Sequence, residues 1–246
     1  MNTRRFITDH PITENTARIT GDELHHLRNV NRAKPGDIIE IIDGQGTLCI
    51  GEIRSIKNSE ALADIKEIER IPSSSPQIII APSLLKQQSM NLMIEKLAEQ
   101  GVDEIRPLIF RRTDDTYHSS RLSKWQRIAF QALKVNKRLW VTRVFAPVTI
   151  EELPDLLDEL NITSRVLLDI EGKEHEQFPS FPKPALAVIG PPGGIMEEER
   201  ARLIKQGFSP FKINDCILKT ETAAFSIAAI FKMRVSDPIS GSDRAA

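Results

Sequence analysis

One stretch restricts the possible folds more than any other: Ala185 to Arg200, ALAVIGPPGGIMEEER. A short apolar run, Ala185 to Ile189, breaks into Gly190-Pro191-Pro192-Gly193-Gly194. An acid-rich helix start follows at Glu197, Glu198 and Glu199. Apolar run, glycine loop and helix in that order predict a buried strand that presents a ligand-binding loop at its carboxyl end. Glycine lets backbone approach a ligand because no Cβ intervenes. Pro191 and Pro192 stiffen the loop and take away two amide donors. A shaped, donor-poor loop suits an uncharged or zwitterionic ligand better than a triphosphate.

Around this stretch, strands alternate with helices. Strands are expected at Gln77–Ala81, Glu104–Ile109, near Val144, and at Arg165–Asp169, Ala185–Ile189 and Phe211–Asn214. Helices are expected at Ser89–Gln100 (ended by Gly101), Ser123–Lys137, Glu151–Leu160, Glu197–Gln206 (ended by Gly207) and Thr220–Arg234. Trp125, Ile128, Ala129 and Ala132 share one face of the second helix. The last helix is Ala-rich and apolar on most faces, which predicts burial. This pattern reads as an α/β domain with a largely parallel sheet.

The chain before it reads differently. Short runs with frequent turn signals predict a small β-rich domain: strands at Asp37–Ile42, Leu48–Ile56 and Ala61–Ile68, a turn at Asp43-Gly44-Gln45-Gly46, and one helix, Gly21–Ala33, stopped by Pro35-Gly36. A compact barrel with one short helix is the simplest packing. Ile71-Pro72-Ser73-Ser74-Ser75-Pro76 is a linker by composition, so the expected domains are 1–72 and 77–240.

Composition excludes several classes. A net charge of −1 over 246 residues predicts no polyanion partner from whole-chain balance, leaving only local basic clusters to argue for one. The two cysteines, Cys49 and Cys216, stand in no ligand-like spacing and fit a reduced, cytoplasmic protein. The N-terminus MNTRRFITDH lacks an apolar signal region, and no run approaches the roughly 20 apolar residues of a membrane span. His25-His26 has no Cys or acid at ligand spacing, so no metal is expected. The arginines Arg4, Arg5, Arg28 and Arg32, with Lys34, are either a solvated surface or a phosphate-contacting face.

Two loops carry the candidate chemistry: Gly190–Met196, and Asn214-Asp215-Cys216-Ile217-Leu218-Lys219 leading into Thr220-Glu221-Thr222. In parallel sheets, ligands sit at the carboxyl ends of strands, so these loops are expected to share a site. Thr220 or Thr222 equally well caps the last helix, with Glu221 in its first turn. GxxxxGK[ST], GxGxxG and GxSxG are all missing, which excludes a P-loop and a serine-hydrolase elbow.

GPPGGIMEEE followed by ILKTETAAFSIAAI resembles the paired C-terminal motifs of the SPOUT methyltransferases. More narrowly, it is similar to the family that methylates uridine at N3 in small-subunit ribosomal RNA. That family's motifs run Gly-Pro-Glu-Gly-Gly and Leu-Gly-x-Arg-Ile-Leu-Arg-x-Glu-Thr-Ala. MIEKLAEQGVDEIRPLIFRRT and WQRIAFQALKVNKR resemble its middle segments, and RRFI, HHLRNVNRAKPGD and IIDGQG its PUA-like domain. The resemblance therefore covers nearly the whole chain. It implies a C-terminal α/β trefoil-knot (SPOUT) domain with a parallel sheet, a rare exception to the rule against knotted chains, plus a small N-terminal PUA-like β-barrel. It also implies S-adenosyl-L-methionine as cofactor, a homodimer with a shared active site, and ribosomal RNA in the small subunit as partner.

The family's roles carry over by position. Leu168, Ile189, Gly190, Gly193, Gly194, Ile213, Ile217, Leu218 and Thr222 would hold the cofactor. Lys219, Glu221 and Thr220 sit where cofactor and catalytic groups meet, and Arg111 and Arg112 could hold RNA phosphate. The reaction needs an in-line approach of nitrogen to methyl, removal of the uracil N3 proton, and a cation or donor for charge developing on the uracil oxygens. Lys219 stands where the family has Arg and could supply that charge. Glu221 either handles a proton or caps the helix. The uridine must be unpaired or turned out of its stack.

The chain departs from the pattern at Pro192 (family Glu), Asn214 (Gly), Cys216 (Arg) and Lys219 (Arg). The helix motif Ala-x-Glu-Gln-x-x-Arg reads Ala132-Leu133-Lys134-Val135-Asn136-Lys137-Arg138. Arg-to-Lys is not neutral where a bidentate contact is needed. A competing reading is therefore an RNA-binding protein of the same fold with weak, altered or lost transfer. An unrelated nucleotide-binding enzyme is disfavoured by the missing phosphate motifs.

Overall fold

The computed structural model describes residues 4–73, 77–173 and 180–236. The chain divides into two compact units. One runs to Ser74 and takes in Phe130–Val141; the other runs from Ser75 to Ala129 and from Thr142 onward.

The first unit is a five-stranded sheet of β1 (Arg4–Ile7), β2 (Thr16–Ile19), β3 (Ile38–Ile42), β4 (Thr47–Ile56) and β5 (Ala61–Arg70), in the order β1-β3-β4-β5-β2. Alternation places Ile39 and Ile41 of β3, Cys49 and Ile53 of β4, and Ala61 and Ala63 of β5 in one core with Phe6, Ile19, Leu24 and Leu27. The outer strands meet where the Thr8 hydroxyl donates to the Arg18 carbonyl at 2.6 Å, so the sheet curls on itself. The expected helix over Gly21–Ala33 is shorter: α1 spans Gly21–His25, and His26–Val30 is a π-turn. Arg32 then takes a left-handed φ of +49°. The wider turn is what the residue pattern does not display, since both windings put Leu24 and Leu27 inward.

The second unit is built on a six-stranded, wholly parallel sheet. Its strands are β6 (Ile78–Pro82), β7 (Glu104–Ile105), β9 (Arg143–Val144), β11 (Ser164–Lys173), β13 (Ala185–Ile189) and β14 (Ser209–Phe211), in the order β14-β11-β13-β6-β7-β9. Every residue of β6 and β13 is buried, as a parallel strand covered on both faces requires. Leu186 and Val188 of β13 join Ile79, Ala81 and Leu167 in a core with α5 (Leu153–Glu159) and α6 (Glu197–Lys205). On the sheet's other side α7 (Thr220–Arg234) packs on β6, β13 and α2 (Gln87–Glu99). Short pairs complete the unit: β8 (Leu108–Ile109) with β10 (Val148–Thr149), and β12 (Phe181–Pro182) with β15 (Val235–Ser236).

Several expectations shift. The strand over Glu104–Ile109 is two strands, broken at Arg106-Pro107, because proline has no N–H for the ladder. The helix over Ser123–Lys137 is α3 (Ser120–Gln131) and α4 (Leu133–Asn136), which closes on Lys137 in the left-handed region. Trp125, Ala129 and Ala132 are buried and Ile128 half-buried. The last strand is Ser209–Phe211 rather than Phe211–Asn214, and Phe211 is its last residue paired with β11. Gly101 and Gly207 do take positive φ after α2 and α6. The linker expected at 71–76 lies outside the described residues from 74 to 76.

Candidate functional site

From β14, at one edge of the sheet, the chain returns through residues 212–219 to α7, which lies against the central strands. That return brings the two glycine- and asparagine-bearing loops together at the carboxyl ends of β11, β13 and β14. Between them lies a cavity of about 400 Å³, in the range of pockets that enclose small ligands.

Its apolar lining comes from Leu168 of β11, Ile189 at the end of β13, and Ile213, Ile217 and Leu218 of the returning loop. Ile217 is 89% exposed and stands at the mouth of the cavity rather than inside it. Gly190 and Gly194 line one wall. A Cβ on Gly190 would sit 2.5 Å from Ile195 Cγ1, so only glycine allows the loop to fold over that side chain. Gly194 has φ +77° with no atom closer than 3.7 Å, so its glycine is required by backbone conformation rather than by space.

Thr220, 4% exposed, does not cap α7. Its hydroxyl donates to the Gly190 carbonyl at 2.9 Å and fastens the start of α7 to the glycine loop. Thr222 is exposed on α7 and, like Gly193, lies off the cavity lining; so do Lys219, which is exposed, and Glu221, which is half-buried. Arg111 and Arg112 come to the glycine loop: Arg112 Nη1 donates to the Gly193 carbonyl at 2.8 Å, and Arg111 pairs with Glu198 at 3.0 Å. Both are exposed.

In the other unit, Arg4, Arg28 and Arg32 are exposed. Arg4 donates to the Asn31 carbonyl and Arg28 lies near the Lys57 carbonyl. Arg5 instead pairs with Glu40 at 2.7 Å and is 15% exposed, so its charge is already matched. Lys134, at a departure from the family pattern, pairs with the buried Glu23, whose other oxygen accepts the Ile7 amide.

Three site residues escaped the sequence reading. Glu199, 8% exposed, accepts the Arg111 amide at 2.8 Å and the Met196 amide at 3.0 Å, so one carboxylate joins the basic loop to the start of α6. An acid at the third helical position is a capping signal that could have found half of this. Asp169 and Arg200 form an ion pair on the cavity wall at 2.5 Å, with Glu171 and Glu197 at 3.9 and 3.8 Å from the same guanidinium. The hydrogen bond to Asp169 raises the Arg200 pKa further, so the guanidinium stays charged. Among the described residues, no group of three or more His, Cys, Asp or Glu could hold a metal, and no helix is long and apolar enough to cross a membrane.

Fold and site define a ligand-binding α/β domain of the knotted SPOUT class, with its cavity in the loops of the returning chain, joined to a small curled sheet of the PUA type. A model of the RNA methyltransferase domain matches residues 72–232, and a model of the RNA methyltransferase PUA domain matches 19–66. The chain belongs to this family of RNA methyltransferases. It is 27% identical over 228 residues to the ribosomal RNA small subunit methyltransferase E of Synechocystis sp., covering 89% of this chain and 74% of that protein. Two solved structures share the fold. A putative methyltransferase of Legionella pneumophila, in complex with SAM, has a TM-score of 0.83 at 22% identity over 97% of this chain and all of the other. The ribosomal RNA small subunit methyltransferase E of Neisseria gonorrhoeae, bound to S-adenosyl methionine, has a TM-score of 0.82 at 23% identity, covering 95% and 98%.

Proposed function

We propose that this chain methylates N3 of a uridine in small-subunit ribosomal RNA, using S-adenosyl-L-methionine. The observation that carries the reading is the 400 Å³ cavity, lined in part by apolar side chains and clasped by Thr220 on Gly190, in a chain of the RNA methyltransferase family. The residues fit an adenosyl group. Leu168, Ile189, Ile213, Ile217 and Leu218 offer apolar surface to a purine, and the Gly190–Gly194 backbone leaves room for a ribose. Bound there, the cofactor supplies a methyl group on a positively charged sulfur.

The chain's own residues do the rest. Arg111 and Arg112, fixed beside the glycine loop by the backbone bond to Glu199 and by the Gly193 carbonyl, present two cations to an approaching RNA phosphate. Lys219, at the threshold of α7, offers a cation to the uracil oxygens as the N3 proton leaves. Glu221, one position beyond the clasp, is the carboxylate nearest in sequence to receive that proton. Arg4, Arg28 and Arg32 extend the RNA contact on the PUA unit, taking residues 1–72 as that domain and 77–240 as the methyltransferase domain. Pairing of two copies through the outer face of α7 is supported by its exposed Met233, at 81%, and by Leu92 of α2, at 45%. The cytoplasm is the compartment in which such a substrate would be met.

One observation favours the competing reading of a cofactor-binding protein without transfer. Lys219 and Glu221 are off the cavity lining, so the monomer alone does not assemble them with a bound methyl donor. Transfer of labelled methyl to small ribosomal subunits, followed by nucleoside analysis, decides. The expected product is 3-methyluridine; cofactor binding without any methylated uridine would establish the second reading.

A further inference from the structure

The Gly193–Gly194 peptide lies between two residues without a Cβ, so its own chain does little to fix which way it faces. The loop closes as a turn in which the Gly194 amide donates to the Pro191 carbonyl at 2.9 Å, with Gly194 at φ +77°. Pro191 and Pro192 are stiff, so the glycine pair is the soft part of the loop. Gly194 lines the cavity and Gly193 does not, so this one peptide has an inner and an outer end. Turning it over would take the Gly193 carbonyl off the outer side and break the turn.

What holds the peptide comes from outside the loop. Arg112 Nη1 donates to the Gly193 carbonyl at 2.8 Å. The rest of the side chain runs along the glycine pair: a Cβ on Gly193 would meet Arg112 Cβ at 3.5 Å and Cδ at 3.6 Å, and one on Gly194 would meet Nη1 at 3.7 Å. The backbone that carries Arg112 is tied to both ends of the same loop. At the far end, Glu199 accepts the Arg111 amide on one oxygen and the Met196 amide on the other. At the near end, the Thr113 hydroxyl accepts the Phe110 amide at 2.9 Å and lies 3.3 Å from the Ser83 hydroxyl, and the Ser83 amide donates to the Ile189 carbonyl at 2.7 Å. The turn at Phe110–Thr113 thus touches the cofactor loop at its start, middle and end.

Arg112 is not used up by this contact. It is exposed, and among the described residues no carboxylate pairs with it, whereas Arg111 is matched by Glu198. A guanidinium carries five N–H donors in one plane, so Nε and Nη2 can donate to a phosphate while Nη1 keeps the carbonyl. We propose that Arg112 is a positioning residue that couples the two ligands, bridging an RNA phosphate to the Gly193 carbonyl so that RNA and S-adenosylmethionine each bind more tightly when the other is present. The proposal rests on the methyltransferase function above. A phosphate on the outer nitrogens orders the guanidinium, and the guanidinium orders the peptide on the cavity wall. A cofactor in the cavity orders the same peptide from its inner end. Whichever ligand arrives second finds the shared groups already fixed and loses less conformational freedom on binding. Linkage requires the same factor in both directions.

The test uses the full chain and S-adenosylhomocysteine, which has no methyl to transfer. Its affinity is measured by calorimetry with and without a saturating single-stranded, uridine-containing RNA, and RNA affinity by anisotropy with and without S-adenosylhomocysteine. In the wild type each ligand should tighten the other by about fivefold or more, by equal factors. Arg112→Gln should weaken RNA by about tenfold and bring the coupling factor to about one. Arg112→Lys should keep RNA affinity within about threefold of wild type through its charge, yet also bring the factor to about one, because an ammonium lacks the planar fork that bridges phosphate and carbonyl. Arg111→Gln should weaken RNA and leave the coupling factor at its wild-type value. All three variants change exposed side chains and should melt with the wild type, so a lost factor reports the bridge and not the fold. A wild-type factor of one with both ligands bound, or an undiminished factor in Arg112→Gln, overturns the coupling and leaves the methyltransferase reading standing. A wild type that binds no adenosyl ligand at all overturns that reading, and the coupling with it.

Discussion

The Thr220 hydroxyl and the Gly190 carbonyl join positions 30 apart in sequence, and the cavity depends on that bond staying closed. Thr220→Val keeps the shape of the side chain and removes the donor, leaving the Gly190 carbonyl without this partner at a cost of about 1–3 kcal/mol. We expect a lower melting temperature and roughly tenfold weaker S-adenosylmethionine binding by calorimetry; unchanged affinity would show that the clasp does not shape the site. Gly194→Val acts differently. Space is free around Gly194, but a β-branched residue at φ +77° is strained by about 1–3 kcal/mol, so the loop should refold out of position and cofactor binding should be lost. Cys49 tests burial. Its thiol is pushed up to about 11 by burial, with Asp43 adding to the shift. The folded state thus holds the thiol proton more tightly than the unfolded chain, so the contribution is intact below pH 9 and fades as pH rises toward 11. Wild type should lose more stability between pH 9 and 11 than Cys49→Ala, measured by denaturant titration.

At the scale of elements, the short helix α4 has a role its sequence conceals. Where the family motif carries Glu, Lys134 supplies the counter-charge for Glu23, a carboxylate 8% exposed that also accepts the Ile7 amide. Removing one member of such a pair costs about 3–5 kcal/mol, because the other charge remains buried and unpaired. Lys134→Met should therefore destabilise the first unit by about 3 kcal/mol in urea titrations. Glu23→Leu combined with Lys134→Met should recover much of that loss; equal destabilisation in single and double variants would refute the pairing. The elements of the second unit were the more legible. Ala185–Ile189 and Thr220–Arg234 stand where their apolar runs put them. The π-turn at His26–Val30 was not, since it keeps the inward pattern of an ordinary helix and alters only the backbone winding, whereas the break at Arg106-Pro107 carried its own signal in the proline.

On the scale of the molecule, the first unit is discontinuous in sequence. Phe130, Leu133, Leu139 and Val141 pack on Ile7, Ile42 and Leu48. The Gly46 amide donates to the Leu139 carbonyl, the Val141 amide to the Gly44 carbonyl, and the Trp140 indole to the Ile71 carbonyl. Gly44 admits this close approach, since a Cβ there would lie 2.8 Å from Leu133 Cδ1. Burial of each large apolar side chain contributes about 1.5–3 kcal/mol, and a small domain has only about 5–15 kcal/mol in all. A fragment ending at residue 74 should accordingly be unfolded by circular dichroism, and a fusion restoring residues 130–141 should fold cooperatively. A fragment of residues 1–74 that melts like the fusion would show the added segment to be dispensable.

The amino-acid sequence alone determined what is local. Gly190-Pro191-Pro192-Gly193-Gly194 had to end a buried strand, Gly101 and Gly207 had to close helices in the left-handed region, and the alternation of strand and helix had to form a parallel sheet. Its family motifs added the expectation of a knotted RNA methyltransferase. Only the tertiary structure decided which side chains meet: Arg112 with Gly193 across 81 positions, Glu199 with the Arg111 amide across 88, and Lys134 with Glu23. The physical reason is the range of the forces that write each pattern. Periodicity and turn preference come from neighbours along the chain, whereas these contacts depend on where the chain returns, and that is fixed by packing of the whole core.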